Sequence, residues 1–181
     1  TTEEQEQNKV YMLCSDIIRS YAFQRATDLY DDMPYSEAGG AFQELFYPKY
    51  DTQEEIYMNI METLKNAAAE LSEYQFQTDA QESKFSSVDI LCNGDLDKWI
   101  RMANSLRLRM AMRLCHVKPD AALSTIKELI AENRMLTEYS HDLGFEEQDK
   151  THAFELTFFR GLDERGYESG APATIIEDII F

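Results

Sequence analysis

Residues 52–72 read TQEEIYMNIMETLKNAAAELS, and their spacing decides the fold class. Ile56, Ile60, Met61, Leu64, Ala67, Ala68 and Leu71 recur at intervals of three and four. That places them on one stripe of an α-helix; a strand would alternate every second residue. Thr52 and Glu55 stand three apart at the start, as in a capping box, where each side chain takes a backbone N–H of the other. The run Ala67-Ala68-Ala69 lets a second helix approach closely.

The same period extends outward on both sides. A helix is expected at about 95–116, with Asp95 as N-cap. Trp99, Met102, Ala103, Leu106, Met110 and Leu114 form its apolar face. Arg101, Arg107, Arg109 and Arg113 are expected on the other faces, with Asn104 near the middle. Pro119 suits a first helical position, so another helix is expected over about 119–133 with Ala122, Ile126, Leu129 and Ile130 inward. So short a connection makes this pair an antiparallel hairpin. Upstream, Val10, Leu13, Cys14, Ile17, Ile18, Tyr21, Ala22, Arg25 and Leu29 mark a helix over about 3–31, which Pro34 prevents from continuing. The chain is therefore read as all-α, a single helical domain over residues 1–181. Two helix pairs in succession resemble a helical repeat, although the tetratricopeptide consensus is not legible.

Two long connections remain. Residues 32–51 hold Pro34, Gly39-Gly40 and Pro48 together with Tyr35, Phe42, Phe46, Tyr47 and Tyr50. So many aromatics in a loop either pin it onto the helices or form a binding surface. Residues 74–94, with Asp79, Ser83, Ser86 and Ser87, are read as a polar loop turning at Asn93-Gly94. Beyond Met135 the pattern weakens into an acidic stretch at 142–149, an aromatic patch at Phe154, Phe158 and Phe159, and an apolar end at 175–181. The chain begins at Thr1 and ends within an amphipathic pattern, so a processed product or a piece of a longer protein is expected.

Charge and chemistry exclude several classes. The 181 residues carry 34 acidic and 17 basic side chains, a formal net charge of −17. Phosphate contacts need a basic face, so nucleic acid is not an expected partner, nor is an anionic lipid surface. No run approaches the ~18 apolar residues of a membrane span. Cys14, Cys92 and Cys115 match neither a zinc nor a CxxC pattern, and an odd count leaves at least one thiol free. His116, His141 and His152 lack a nucleophile or HExxH motif, and no EF-hand spacing occurs. No catalytic residue, metal or cofactor is expected.

Three segments in order carry a resemblance. Residues 19–38 read RSYAFQRATDLYDDMPYSEA, residues 48–71 read PKYDTQEEIYMNIMETLKNAAAEL, and residues 93–113 read NGDLDKWIRMANSLRLRMAMR. Together they are similar to the SusD/RagB family of outer-membrane nutrient-binding lipoproteins, in particular its second SusD-like branch. The resemblance covers roughly residues 10–135. The chain departs from the family pattern at Asp31, where a glycine is commoner, and it lacks the lipid-bearing cysteine, the N-terminal helices and the C-terminal half.

The resemblance implies a tetratricopeptide-like helical scaffold with long ordered loops. It implies a protein on the extracellular face of a Bacteroidetes-type outer membrane, held there through a lipid anchor upstream of this chain. It further implies oligosaccharide or another nutrient as ligand, a SusC-like TonB-dependent transporter as partner, and no catalysis. The alternative is a helical-repeat module that contacts other proteins and has no ligand site of its own. Sugar binding needs flat aromatic faces and hydroxyl partners. Tyr35, Phe46, Tyr47 and Tyr50 are the candidates here, although the family's best-known ligand aromatics do not align with them. Trp99 is expected in the core. Asn104, Arg107, Arg109 and Arg113 are read as structural signature residues that make ion pairs and hydrogen bonds between helices.

Overall fold

The computed structural model describes residues 2–138 and Leu143. All of them belong to one compact unit, Thr1–Gly144. The expected single domain over 1–181 reaches beyond them. The 142–149 stretch as a whole, the Phe154, Phe158 and Phe159 patch, the 175–181 segment, His141 and His152 lie outside them.

Among the described residues five α-helices form: α1 (Thr2–Tyr30), α2 (Gln53–Glu73), α3 (Asp79–Val88), α4 (Leu96–Leu114) and α5 (Pro119–Glu132). Among the described residues no β-strand forms, and one antiparallel bridge joins Met33 to Asp51. The described part of the chain is thus all-α, two helix hairpins in the tetratricopeptide-like manner, with α2 packed most extensively against α4. Pairs between the helices fix the directions. Lys9 Nζ meets Glu70 Oε2 at 2.8 Å, and Gln53 Nε2 donates to the Thr27 carbonyl at 2.7 Å, so α1 and α2 run antiparallel. Asn104 Nδ2 reaches Glu132 Oε2 at 3.0 Å and Arg107 Nη2 reaches Glu128 Oε1 at 3.0 Å, so α4 and α5 do likewise.

The core follows the stripes of α2 and α4. Ile56, Ile60, Leu64 and Leu71 are buried on α2, with Ala67 and Ala68 among them. Trp99, Ile100, Ala103, Leu106, Met110 and Ala111 are buried on α4. Each large side chain here contributes roughly 1.5–3 kcal/mol by leaving water. The buried alanines let the two backbones come close. Thr52 Oγ1 accepts from Glu55 N at 3.3 Å while Glu55 Oε2 accepts from Thr52 N at 3.0 Å, completing the capping box. At Asp95 the side chain accepts from the N–H of Asp97 and of Lys98.

The structure corrects four sequence expectations. Residues 74–94 are not a plain loop, because α3 occupies their middle. Thr78 caps it by accepting from Gln81 N, and Phe85 is its one buried residue. A single buried side chain leaves no stripe to read. The inward face of α1 follows the apolar residues only through Val10, Leu13, Cys14 and Ile17; then Ser20, Gln24 and Thr27 are buried, while Ile18, Ala22, Arg25 and Leu29 are exposed. Part of this polar half meets polar partners: Thr27 Oγ1 donates to the Asp31 carbonyl at 2.8 Å, and Asp28 accepts from Gln24 Nε2, from Tyr57 Oη and from Arg113, while Gln24 Oε1 is buried without a partner among the described residues. Ile130 is exposed, since α5 contributes only Ala122 and Leu129 to the buried set. Finally, Arg107, expected on a face other than the apolar stripe, is buried with that stripe at 3% exposure. Asn104 Oδ1 accepts from its Nη1 at 3.2 Å, and Glu128 pairs with its Nη2.

Candidate functional site

The 32–51 connection is built from its base. Asp31 has φ +64, a left-handed conformation that glycine adopts freely and aspartate tolerates. Its N–H donates to the Thr27 carbonyl at 2.9 Å and its own carbonyl accepts from Thr27 Oγ1 at 2.8 Å, so α1 ends sharply. The chain then returns through the Met33–Asp51 bridge, whose two backbone hydrogen bonds are 3.2 and 3.0 Å.

Asp51 holds the loop together. Its Oδ2 accepts from the N–H of Tyr35 at 3.1 Å and of Ser36 at 2.6 Å. Its Oδ1 accepts from Ser36 Oγ at 2.9 Å and pairs with Lys49 Nζ at 3.2 Å. The Ser36 N–H is the main reason that the Asp51 carboxyl is drawn down to about 2, with the Ser36 hydroxyl, Lys49 and the Tyr35 N–H adding to it against the opposing effect of burial. Farther out, Glu37 Oε2 accepts from Lys49 N at 2.8 Å, and Gly40–Gln43 form a 3-10 turn.

The aromatic candidates separate into two groups. Tyr35 is buried; its hydroxyl donates to Asn59 Oδ1 at 2.7 Å and its ring meets Phe23 edge-on at 4.9 Å. The Arg19 guanidinium lies 5.5 Å from the centre of the same ring, and burial pushes the Tyr35 phenol up. Phe46, Tyr47 and Tyr50 are 70%, 92% and 73% exposed, and Phe42 is fully exposed. Pinning the loop onto the helices therefore falls to Tyr35 alone among these five, and the other four rings face solvent on a loop whose base is held.

The signature residues lie in the scaffold. Asp89 accepts from the N–H of Leu91 (3.2 Å), Cys92 (3.1 Å) and Gly94 (2.9 Å) and from Trp99 Nε1 at 2.8 Å. This organises the turn before α4, in which Asn93 and Gly94 have φ +55 and +82. A Cβ at Gly94 would lie 1.9 Å from Ser86 Oγ, so no larger residue fits. Asn104 Nδ2 also donates to the Arg134 carbonyl at 3.0 Å, and Ser105 Oγ accepts from Leu136 N at 2.9 Å, tying the chain after α5 back to α4. Arg134 in turn grips Asp97, and its Nη1 reaches Ser72 Oγ at 2.8 Å. Arg113 pairs with Asp28, and Arg109 is exposed. The sequence reading missed Asp89 and Asp51, the two carboxylates that organise the turns; for Asp89 the signal available was an aspartate between Ser86-Ser87 and Asn93-Gly94, and for Asp51 only its place directly before the Thr52 cap.

Burial pushes the thiols of Cys14 and Cys92 up to about 12, with the Asp89 charge adding to it, which leaves them unreactive small hydrophobes. Among the described residues no helix is long and apolar enough to cross a membrane.

Comparison with known proteins gives this arrangement a context. The model of a SusD-like family, described as starch-binding and associating with the outer membrane, matches residues 1–178. A solved Bacteroidetes SusD-like protein, AC2a, is 32% identical over 80% of this chain and 25% of its own, with a TM-score of 0.64. A chitin-binding SusD homologue from Flavobacterium johnsoniae is 32% identical over 70% of this chain and 26% of its own, with a TM-score of 0.59. A SusD homologue from Bacteroides vulgatus is 27% identical over 86% of this chain and 30% of its own, with a TM-score of 0.67. The chain thus spans between a quarter and a third of the length of these structures. No curated protein sequence matches it.

Proposed function

The chain belongs to the SusD-like family of starch-binding proteins that associate with the outer membrane, and from that premise we propose that it works as a surface-exposed, non-catalytic glycan-binding part of an outer-membrane uptake system. In that role it presents oligosaccharide to a SusC-like TonB-dependent transporter, with the whole protein lipid-anchored on the extracellular face.

The observation that carries the binding role is the exposure of Phe46, Tyr47 and Tyr50 on a loop held at its base by Asp51. Exposed rings are normally costly to solvate, and a held loop spends little further entropy when it binds. A sugar ring offers apolar C–H faces to such rings, and tyrosine adds a hydroxyl for the sugar's own. The relative from Flavobacterium johnsoniae is described as chitin-binding, which makes N-acetylglucosamine oligomers, beside starch fragments, the first ligands to try.

Isothermal titration calorimetry of the chain with maltooligosaccharides and chitooligosaccharides tests this. Binding without release of shorter sugars is expected. The triple variant Phe46→Ala, Tyr47→Ala, Tyr50→Ala should lose about tenfold or more in affinity. Silence across a broad glycan panel would remove the reading.

The alternative, a module that only contacts protein, draws support from Leu29 and Tyr30 at the end of α1, both 75% exposed. Recovery of a membrane transporter by the chain, with no saccharide bound by either, favours it.

A further inference from the structure

A cleft of about 330 Å³ opens between α1 and α2 beneath the start of the 32–51 loop. Its volume lies at the lower end of small-molecule sites, roughly 300–1,000 Å³. Asp16, Arg19 and Ser20 line it from α1, Asn59 and Thr63 from α2, and Tyr35 from the loop. We propose that this cleft is a second saccharide subsite, separate from the exposed aromatic rings, that grips the hydroxyls of a neutral sugar. The inference rests on the glycan-binding reading above and adds a place and a chemistry to it.

The lining leaves several polar groups unused. Among the described residues the Asp16 carboxylate and the Arg19 guanidinium have no hydrogen-bond or ion-pair partner; Arg19 makes only its contacts with the Phe23 and Tyr35 rings. Those contacts, at 5.4 and 5.5 Å to the ring centres, hold the guanidinium in place without consuming its N–H groups. Ser20 is 3% exposed, lines the cleft, and its hydroxyl makes no hydrogen bond among the described residues. That hydroxyl is not sealed from solvent, so it opens into the cleft, where water or a ligand meets it. Asn59 accepts from Tyr35 Oη through Oδ1, which leaves its NH2 pair free to donate.

The unused set is thus an acceptor-only carboxylate, a planar donor fork, an amide donor pair and a hydroxyl. An anion would meet Asp16, a cation would meet Arg19, and an apolar group would strand the polar lining. Adjacent sugar hydroxyls both donate and accept, so they match all four groups at once. Tyr35, which is too buried to stack on a ligand, serves here by fixing Asn59 and by supporting Arg19.

The test is an amide chemical-shift titration of the full chain with maltotriose and with chitotriose, alongside glycine as a zwitterion control. The expected result is saturable shifts at Ser20, Asn59 and Thr63. These should weaken about tenfold or more in Asp16→Ala/Arg19→Ala, while persisting in the Phe46→Ala/Tyr47→Ala/Tyr50→Ala chain. Both altered positions lie outside the apolar core, and far-UV ellipticity checks that the fold is kept. Shifts confined to the aromatic loop, or unchanged binding in the Asp16/Arg19 variant, overturn the cleft and leave the functional reading standing. Preference for glycine over sugar overturns the ligand class. No shifts anywhere with either sugar remove both.

Discussion

Replacing Asp89 tests the scaffold most directly, because the single tryptophan reports on it. The carboxylate accepts four hydrogen bonds: Oδ1 takes the N–H of Leu91 and Cys92, and Oδ2 takes the N–H of Gly94 and the Trp99 indole N–H. In Asp89→Ala the donors of Leu91 and Gly94, which are part-buried, regain water. Those of Cys92 and Trp99 are buried and do not. Each buried orphan costs about 1–3 kcal/mol, and the bonds lost were to a charged group, so a loss of roughly 3–5 kcal/mol is expected. That corresponds to about 10 °C in Tm for a chain of this size. The sharper variant is Asp89→Asn. It keeps the shape but turns one oxygen into an NH2 that faces two donors, and flipping the amide only moves the conflict to the other pair. It should cost nearly as much as alanine. Urea unfolding followed by Trp99 emission and by far-UV ellipticity measures both variants, and a blue-shifted native emission is expected as the buried indole N–H loses its charged acceptor without gaining water. If Asp89→Asn falls within about 0.5 kcal/mol of the parent with unchanged emission, the reading of Asp89 as the organiser of this turn is wrong.

Three further outcomes are expected. Gly94→Ala combines a left-handed φ of +82 with a Cβ placed 1.9 Å from Ser86 Oγ, and should destabilise by about 2–4 kcal/mol in the same urea assay. Adding Ser86→Gly should restore only part of this, because the Ser86 Cα remains 2.9 Å away; full recovery would show that backbone strain is negligible. Asp31→Gly should stabilise by about 0.5–1 kcal/mol, since φ is +64 and glycine adopts it without steric cost; a destabilised variant would mean that the aspartate side chain has a role of its own. The Asp51 carboxyl is lowered from 3.8 to about 2, so its contribution to stability is present above pH 3.8 and is lost as the pH falls toward 2. The Ser36 amide shift should titrate near pH 2, Asp51→Asn should flatten the acid limb of the stability curve, and a midpoint near 3.8 would contradict the hydrogen-bond assignment.

How much of this was legible depended on whether burial followed apolarity. On α2 and α4 it did: Ile56 to Leu71 and Trp99 to Met110 give the stripe, the caps and the hairpin partner. On the second half of α1 it did not. Ser20, Gln24 and Thr27 are buried although polar, and a period drawn through apolar letters selects Ile18, Ala22 and Leu29 instead. Arg107 escaped for the same reason, since its burial depends on Glu128, which is 21 residues away in sequence. The 32–51 loop was recognisable as ordered, but not which rings face water. That division follows from Asp51, whose contacts reach back 15 and 16 residues. Asp16 and Arg19 carried no signal at all, because the cleft exists only once α2 and the loop are in place.

The Met33–Asp51 bridge has a consequence for how such a protein can change. Both ends of the 34–50 excursion are fastened to each other and to the first turn of α2, where Gln53 N donates to Asp32 Oδ1 at 2.8 Å. The excursion is therefore an exchangeable cassette on a fixed socket. Its outer residues can be lengthened, shortened or rewritten at small entropic cost while the helices beneath keep their register. Only Tyr35, Ser36 and Asp51 must travel with the socket. On the glycan-binding reading proposed above, a graft that transplants residues 37–50 between relatives should carry ligand preference with it while leaving the melting behaviour of the host nearly untouched.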